Sequence, residues 1–490
     1  MATVLGANTL SSGGYDVDNG IRFDGSSSYM TLTPGSAGSQ KIVTFSTWIK
    51  RSQLGEGNGP ADVFMMYGYA GSNSDTRLYF TGDGDGNDDR LYFQSTTSNT
   101  THTALATNRK FRDPNAWYHI VINFNSSVGS PDTNHVEMFI NGVKETSFAT
   151  ETYPSQNDVV YWTDDSLHTI GRRSDGGNLW YGGYMAETVM IDGQALDADS
   201  FGEFDEDTGI WKPIDVSGLT FGTNGFYLEY KGSGTSANSS GLGADTSGND
   251  HHFAVSGLAA IDQTTDTCTN NFCTLNILDN FFPNHTYTDG NLTSASGTAD
   301  GSPYTYVTSS MGFNTGKWYW EFKAVAKESG IDNWVPGFTS QRTTTTTLVN
   351  ANNTHGYGMY GHSGVIYNDG SSAYGDGFTT GNTVMIAVDM DNLAAYWGVN
   401  GTWDNSSDPE SGSSRTGAKV ITAPTGDIGV YVPSWHWYEA DVNGTASFNF
   451  GSPPYAISSG NADGNGFGNF EYAVPSGYLA ICTKNLAESG

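Results

Sequence analysis

The residues best suited to holding a ligand directly are acidic and amide side chains between two copies of the sequence RLYF. Four of them stand at alternate positions of the segment RLYFTGDGDGNDDRLYFQ: Asp83, Asp85, Asn87 and Asp89. Carboxylate and amide oxygens at this spacing can surround a calcium ion, which prefers hard oxygen ligands. The EF-hand pattern is absent, because Asp88 stands where that pattern needs glycine and Gln94 replaces its final glutamate. The segment predicts either a calcium site or a solvated acidic hairpin loop, and no other cofactor is indicated.

Aromatic side chains near expected strand ends are the second group of candidate ligand contacts. They are Trp180, Tyr181, Trp435, Trp437 and Tyr438. Sugar rings stack on aromatic faces of this kind, and small-molecule sites are lined by such rings. Core packing also explains aromatic residues in sandwich folds, so both interpretations remain open for these five positions.

A catalytic set cannot be assembled from the sequence. Glu203, Asp205 and Asp207 alternate, but the intervening Phe204 and Glu206 do not form a continuous apolar face, as a buried strand carrying two working carboxyls needs. The ten histidines are scattered, and the three cysteines match neither a disulfide framework nor a zinc signature. No nucleophile elbow is present. These observations predict a protein that is not an enzyme.

The composition predicts that short strands and tight turns position these candidates. The chain has 490 residues, with 63 glycines and 13% aromatic residues. Glycine and asparagine supply the positive φ angles that hairpins need, and long amphipathic helical patterns are missing. Because this length exceeds one ordinary hydrophobic core, we expect an all-β fold. It would contain two antiparallel, jelly-roll-like β-sandwich domains joined by a docked, loop-rich seam.

The charge excludes several classes of partner. The chain has 52 acidic and 21 basic residues, a net charge of −31. Such a field repels nucleic acids and anionic membrane surfaces. The N-terminal sequence MATVLGANTLSSGG lacks the basic and apolar regions of a signal peptide, and no apolar run approaches the roughly 20 residues that cross a bilayer. We therefore expect no export, no membrane anchor and no nucleic-acid partner.

The N-terminal half contains segments that alternate apolar and polar residues, as half-buried strands do. VTFSTWIK places Val43, Phe45 and Ile49 on one face, and VEMFINGV contains the hairpin signal Asn141-Gly142. In order, RFDGSSSYMTL, TFSTWIK, WYHIVINF, VEMFINGV, HTIGRR and GYMAETVMIDGQAL resemble a laminin-G or concanavalin-A-like lectin domain over 18–196. This resemblance implies a sandwich of two curved sheets, in a family whose members bind sugars or proteins or hydrolyse glycans.

The C-terminal half has a second strand-rich region. KWYWEFKAV places Trp318, Trp320 and Phe322 on one face. The order GKWYWE, GYG, VMIAVDMD, AYWGVNG, YVP and SFNFG resembles a SPRY (B30.2) domain over 304–451. That resemblance implies a compact sandwich that binds other proteins through its loops and carries no catalytic set. In the tail that follows, we expect Ile481 and Leu486 to pack against the sandwich.

The expected domain order has five parts. They are an N-terminal arm (1–20), a first sandwich (21–200), a docked connector (201–303), a second sandwich (304–451) and a packed tail (452–490). The arm is interpreted either as a disordered tail or as a segment that orders against a partner subunit.

The functional hypothesis rests on the sequence of the connector. The phrases GEFDEDTGIW, GTNGFYLEY and DQTTDTCTNNFCTLN within 202–276 resemble structural proteins of marine bacteriophages, departing from them at Cys268 and Cys273. The resemblance implies a non-enzymatic protein at the virion surface, either a capsid decoration or head fibre or a component of the tail or tail fibre. Its partners would be other virion proteins, further copies of itself and host surface glycans. The alternative is a glycan-cleaving or receptor-binding tail spike enzyme built on the concanavalin-like domain.

Overall fold

The chain forms two compact units. The computed structural model describes residues 3–4, 14–54, 63–71, 73–82, 89–129, 132–174, 179–279, 285–296, 305–328, 330–342, 354–438 and 443–490. The N-terminal unit comprises 8–270, and the C-terminal unit comprises 1–7 together with 271–490. The segment 201–303, which the sequence set apart as a connector, is divided between the two units.

Almost all regular structure is strand. Up to residue 270 the strands are β1 (Thr3–Val4), β2 (Gly20–Asp24), β3 (Tyr29–Leu32), β4 (Ile42–Arg51), β5 (Val63–Tyr69), β6 (Asp75–Phe80), β7 (Arg90–Thr97), β8 (Thr100–Lys110), β9 (Trp117–Asn125), β10 (Val136–Ile140), β11 (Val143–Lys144), β12 (Phe148–Thr152), β13 (Leu167–Ile170), β14 (Gly182–Asp192), β15 (Gly202–Phe204), β16 (Trp211–Pro213), β17 (Phe226–Leu228), β18 (Ala254–Ser256) and β19 (Gln263–Thr264). The later strands are β20 (Thr286–Thr288), β21 (Thr293–Ala295), β22 (Thr305–Thr308), β23 (Met311–Gly312), β24 (Lys317–Lys327), β25 (Trp334–Thr339), β26 (Gly356–Met359), β27 (Ile366–Tyr367), β28 (Ser371–Ser372), β29 (Thr383–Asp389), β30 (Ala394–Val399), β31 (Thr402–Trp403), β32 (Lys419–Val420), β33 (Val432–Trp437), β34 (Gly444–Asn449) and β35 (Leu479–Ala480).

Helical structure is brief. The described residues contain the α-helix α1 (Thr483–Ser489) and short 3-10 helices at Asp132–Asn134, Ala198–Ser200, Ala260–Asp262, Ile277–Asp279 and Pro409–Ser414. Among these residues, no helix combines the length and the apolar character needed to cross a membrane. The all-β fold class expected from the composition is confirmed.

The N-terminal unit is a sandwich of two antiparallel sheets. Sheet A has the order β11-β10-β9-β4-β14-β2-β19, with β17 also paired to β14, and sheet B has the order β12-β8-β7-β6-β5-β13-β3-β18. Val43, Phe45 and Ile49 of β4 point into the shared core, as their alternation predicted. Sheet B contributes Leu78 and Phe93 to the same core. Asn141 and Gly142 both have positive φ, at 49° and 76°, which confirms the hairpin turn between β10 and β11.

The C-terminal unit repeats this plan with a different strand order. Sheet C has the order β20-β21-β34-β24-β29-β30-β31, with β32 paired to β30 and β35 lying parallel to β24. Sheet D has the order β22-β33-β25-β26-β27-β28. Trp318, Trp320 and Phe322 of β24 fill the core between them. Ile481 and Leu486 of the tail lie in the same core.

One sheet of each unit is covered on its outer face by chain that follows the sandwich strands. In the N-terminal unit, Phe201, Trp211, Val216 and Phe221 pack on the outer face of sheet A. In the C-terminal unit, tail residues cover the outer face of sheet C: Phe470, Tyr478, Ala480 and Cys482. We call these additional layers the covered faces. They bury apolar area that a two-layer sandwich leaves in water.

Candidate functional site

The outer face of sheet B carries a group of aromatic residues from strands far apart in sequence. We define the sheet B patch as Tyr67, Tyr69, Tyr79, Tyr92 and Leu179, which form one cluster separate from the core. Strand register brings them together, because Tyr79 of β6 lies directly opposite Tyr92 of β7. Alternation along β6 sends Leu78 and Phe80 to the core and the intervening tyrosine outward.

The rings of the patch are in contact. Tyr67 and Tyr69 are stacked with their centroids 6.0 Å apart, and the centroids of Tyr79 and Tyr92 are 5.1 Å apart. Tyr67 and Tyr79 are buried, whereas Tyr69, Tyr92 and Leu179 are half-buried. Tyrosine suits such a place because its ring is apolar while its hydroxyl can hydrogen-bond in water or to a ligand. Tyr69, Tyr92 and Leu179 therefore form the accessible part of the patch, beside the buried rings of Tyr67 and Tyr79.

Planar polar side chains lie beside these rings. Arg77 of β6 is opposite Tyr67 on one side and Gln94 on the other. Its guanidinium donates to both oxygens of Asp75, with Nε–Oδ1 and Nη2–Oδ2 distances of 3.0 and 2.8 Å. The Tyr67 hydroxyl donates to the same carboxylate at 3.3 Å. Asp75 is thus held as an ion-pair partner, and it fixes the position of the arginine.

The first pair of predicted aromatic contacts divides between the surface and the core. Trp180 is half-buried, and its ring centroid lies 5.7 Å from that of Tyr29 on β3. The interpretation of Tyr181 as a ligand contact is wrong, because its side chain is fully buried. Its hydroxyl lies 3.1 Å from the Lys50 carbonyl and 3.0 Å from the Tyr184 carbonyl, to which it donates. Tyr181 is therefore a core residue with a satisfied hydroxyl.

The other three predicted aromatic contacts lie on or directly after β33, where strand alternation divides them between the core and the outer face. Trp435 and Trp437 are 0% and 1% exposed and point into the core, so their interpretation as ligand contacts is wrong. Tyr438 points to the opposite, outer face of sheet D and is half-buried. Because tryptophan is the larger apolar side chain, the register that buries both tryptophans buries more apolar area.

Tyr438 belongs to a second aromatic group. We define the sheet D patch as Tyr306, Val335, Tyr360, Val365, Tyr367 and Tyr438. Tyr367 and Tyr438 are stacked at 5.8 Å, and Tyr360 lies 5.4 Å from Tyr438. The Tyr360 hydroxyl donates to Asn333 Oδ1 at 2.8 Å. His436 stacks on Tyr438, and burial lowers its pKa to about 3, so the patch is neutral.

The predicted calcium loop is described only at its end. Asp83, Asp85 and Asn87 lie outside the described residues. Asp89 is fully buried and accepts from Arg51 Nη1 at 2.9 Å and from Arg112 Nε at 2.8 Å. Its interpretation as a calcium ligand is wrong, because two arginines engage its two carboxylate oxygens. In the ranges that the structure describes, no group of three or more His, Cys, Asp or Glu could hold a metal ion.

The outer face of sheet A brings a serine into contact with a histidine. No sequence motif links these two residues. Ser46 Oγ lies 2.8 Å from His119 Nε2, which resembles a nucleophile–base pair. The Trp211 indole, however, donates to His119 Nδ1 at 3.0 Å. A neutral imidazole whose Nδ1 accepts must carry its proton on Nε2, so it donates to the serine and cannot act as its base. Burial lowers the pKa of His119 to about 3 and keeps it neutral. This contact is structural.

The acidic triplet also has a structural role. Glu203 and Asp205 lie on or beside the β15-β16 hairpin, and Lys212 Nζ lies 3.3 and 3.1 Å from their carboxylates. Hydrogen bonds from Thr208 and Lys212 lower the pKa of Asp205 to about 2. A carboxyl with so low a pKa stays ionised and does not serve as a general acid.

The comparisons with known proteins place the N-terminal sandwich in a superfamily. Residues 24–200 match the laminin-G model described as the concanavalin A-like lectin/glucanases superfamily. This part of the N-terminal unit is therefore similar to a laminin-G/concanavalin-A-like lectin domain. No curated protein matches the chain in sequence. The description of the superfamily names both lectins and glucanases, so the match alone does not separate binding from cleavage.

Several solved structures are similar in fold. The SPRY domain of human HERC1 has 16% identity, with 32% of this chain and 87% of that chain covered and a TM-score of 0.25. A human SPRY domain has 10% identity, coverage of 36% and 99%, and a TM-score of 0.25. The heptameric SAP-like pentraxin from Limulus polyphemus has 14% identity, coverage of 37% and 80%, and a TM-score of 0.27.

Proposed function

We propose that the chain is a non-enzymatic binding protein whose N-terminal unit holds a glycan on the sheet B patch. The observation that carries this proposal is the row of tyrosines and planar polar side chains aligned across strands β5, β6 and β7. Apolar rings stack on the faces of sugar rings, and Arg77 and Gln94 can hydrogen-bond their hydroxyls. Because these side chains lie on paired strands, the surface needs little ordering on binding.

The chemistry of the patch supports binding over cleavage. Glycoside hydrolysis uses two carboxyl groups on opposite sides of the bond that breaks. The described patch and its polar border contain one carboxylate, Asp75, and Arg77 and Tyr67 hold its oxygens. Hydrogen bonds from Arg77 and Tyr67 engage this one carboxylate, and the described patch lacks the second, opposed carboxyl group that hydrolysis needs.

The glycan proposal is tested by binding to an array of polysaccharides, with the size of each polysaccharide measured before and after incubation. We expect binding without shortening of the chains. A double variant, Tyr69→Ala with Tyr92→Ala, removes the two half-buried rings and should lose binding. Tyr438→Ala on sheet D is the matched control and should bind as the unmodified protein does. Shortened polysaccharides, or equal binding by the double variant, would overturn the proposal.

We further propose that the chain is displayed at the surface of a bacteriophage particle, as a capsid decoration or head fibre or as a tail or tail-fibre component. Support comes from the resemblance of 202–276 to phage structural proteins and from the charge of −31, which keeps a crowded surface protein soluble. Other virion proteins and further copies of the chain would be its partners, and a SPRY-like C-terminal unit would supply protein contacts. Antibody labelling of purified particles in the electron microscope tests this, and unlabelled particles would contradict it.

A further inference from the structure

An arginine beside the sheet B patch lies over one aromatic ring and next to a second ring that contacts the first. Arg172 follows β13, and its guanidinium carbon lies 3.7 Å from the ring centroid of Tyr29 and 5.4 Å from that of Trp180. A β-bridge between Arg172 and Trp180 joins the two backbone segments. We call Tyr29, Arg172 and Trp180 the arginine clamp. Stacking of this kind fixes the plane of the guanidinium, and because Nε is buried, the end that carries Nη1 and Nη2 is the part left to meet a ligand.

The backbone next to the clamp accepts only glycine. Gly171 has a φ of +90°, and a Cβ there would lie 2.7 Å from the Phe23 ring and 3.2 Å from the Ser28 carbonyl. Tyr181 N donates to the Gly171 carbonyl at 2.8 Å, which ties this turn to the start of β14. The clamp is therefore attached to the sandwich core and is preorganised.

Arg172 differs from most arginines of the chain in its partners. Among the described residues, six others form ion pairs with carboxylates: Arg22, Arg51, Arg77, Arg109, Arg112 and Arg342. Within the described residues, no carboxylate pairs with Arg172. Because no described carboxylate pairs with Arg172, its guanidinium is able to pair with an external anion.

We propose that the arginine clamp binds the carboxylate of an acidic sugar residue, and this inference rests on the proposed glycan binding by the sheet B patch. The planar guanidinium takes a carboxylate through two parallel hydrogen bonds. The half-buried Trp180 offers a ring for the sugar that carries this carboxylate, and Leu179, the preceding residue, belongs to the patch. One extended glycan can then contact the patch and the clamp together.

The overall negative charge does not prevent such a contact. At physiological salt, exposed charges are screened beyond about 8 Å. A bidentate hydrogen-bonded pair acts within about 3 Å, so its local geometry outweighs the distant surface charge. The net charge instead predicts that acidic glycans bind slowly at low salt, where long-range repulsion is largest.

The test compares matched polysaccharides on the full chain. The probes are polygalacturonate, alginate and hyaluronan, each beside its carboxyl-reduced form, with dextran and dextran sulfate included. We expect at least one acidic polysaccharide to bind about tenfold or more tightly than its reduced form. Arg172→Gln should remove that preference, whereas Arg415→Gln, an exposed arginine of the C-terminal unit, makes the same charge change and should retain it. Arg172→Lys should restore little of this preference. An ammonium group does not form the bidentate pair with a carboxylate and does not stack on a ring as a guanidinium does.

The outcomes separate this inference from the proposed function. Equal binding of acidic and reduced forms would overturn the clamp and leave glycan binding intact, whereas no binding to any polysaccharide would overturn both. Binding to dextran sulfate without binding to the three polyuronates would overturn the assignment of a carboxylate. The reduced polysaccharides test the clamp on the unmodified protein, so the result does not depend on whether a variant folds.

Discussion

In each unit of the molecule, one sheet has a covered outer face and the other has an outer face that carries a tyrosine cluster. The outer faces of sheets A and C are covered by later segments of the chain, whose aromatic residues are buried there. Sheets B and D instead carry clusters of tyrosines, several of them half-buried. A surface that needed only shielding from water could be covered in the same way on both sides. The difference supports the proposal that the tyrosine patches serve recognition, whereas the covered faces bury apolar area.

The two patches also differ from one another. The sheet B patch is bordered by the Asp75–Arg77 pair and by the arginine clamp, whereas the sheet D patch contains tyrosines and valines next to a neutral histidine. Charged and planar polar groups give directional hydrogen bonds to sugar hydroxyls and carboxylates. This contrast supports the proposed glycan recognition by sheet B rather than by sheet D.

The largest expected effect comes from removing an aromatic residue from a covered face. Trp211→Ala deletes a side chain that is 6% exposed and donates to His119. We expect a loss of about 3–5 kcal/mol in the free energy of unfolding, as for other buried aromatic truncations. Urea unfolding measures the loss, and glycan affinity of the folded variant should be unchanged. A loss below about 1 kcal/mol would contradict the role of the covered faces in stability.

A pH-dependent effect is expected at Glu187 on the same covered face. Tyr227 and Tyr15 donate to its carboxylate, and burial raises its pKa from 4.5 to about 7. A raised pKa means that the folded state holds the proton more tightly. The resulting stabilisation is fully present below about pH 4.5 and is lost as the pH rises through about 7.

Glu187→Gln isolates this contribution because glutamine stays neutral. Relative to the unmodified protein, the variant should gain up to about 3 kcal/mol of unfolding free energy between pH 4.5 and pH 7. Urea unfolding at a series of pH values measures it. A difference that does not change with pH would show that Glu187 has an ordinary pKa.

A smaller loss is expected at Glu321 under the tail of the C-terminal unit. Its carboxylate accepts from Tyr319, Asn449 and the backbone amides of Glu471 and Tyr472, at 2.8–3.1 Å. Glu321→Gln places an NH₂ group against some of these donors, which should cost about 2 kcal/mol. Thermal unfolding measures this change, and Glu328→Gln on the surface is the control. Equal stability of the two variants would contradict the role of Glu321 in holding the tail.

The smallest effect on stability is expected at a tyrosine patch. Tyr438→Ala removes a half-buried ring from sheet D and should cost about 1 kcal/mol, because part of the ring already lies in water. Thermal unfolding and glycan binding are measured on the same sample. Loss of glycan binding by this variant would move recognition from sheet B to sheet D.

The fold was more predictable from the sequence than the site was. Alternation in VTFSTWIK and KWYWEFKAV identified core faces correctly because one face of each strand is clearly more apolar. In Trp435-His436-Trp437-Tyr438 both faces carry aromatic rings, so alternation could not tell which residues face the core. Side-chain size could have shown which of these residues face the core, because burying the larger tryptophans removes more apolar area from water.

The sheet B patch required information that local patterns do not contain. Tyr67, Tyr79 and Tyr92 come together only through the register of three strands. A shift of one residue in any of these strands would move its tyrosine into the core. Arg172 likewise meets Tyr29 across a long separation in sequence. Both features depend on strand pairing between distant segments. The turns and the alternation within each segment do not determine that pairing.

Amide hydrogen exchange of the full chain, with and without a bound polysaccharide, tests the central claim most directly. Contact with the sheet B patch should slow exchange in β5, β6 and β7 and in the segment 179–181, while β25, β27 and β33 of sheet D keep their rates. Slowed exchange confined to sheet D would contradict the assignment of glycan recognition to the N-terminal unit.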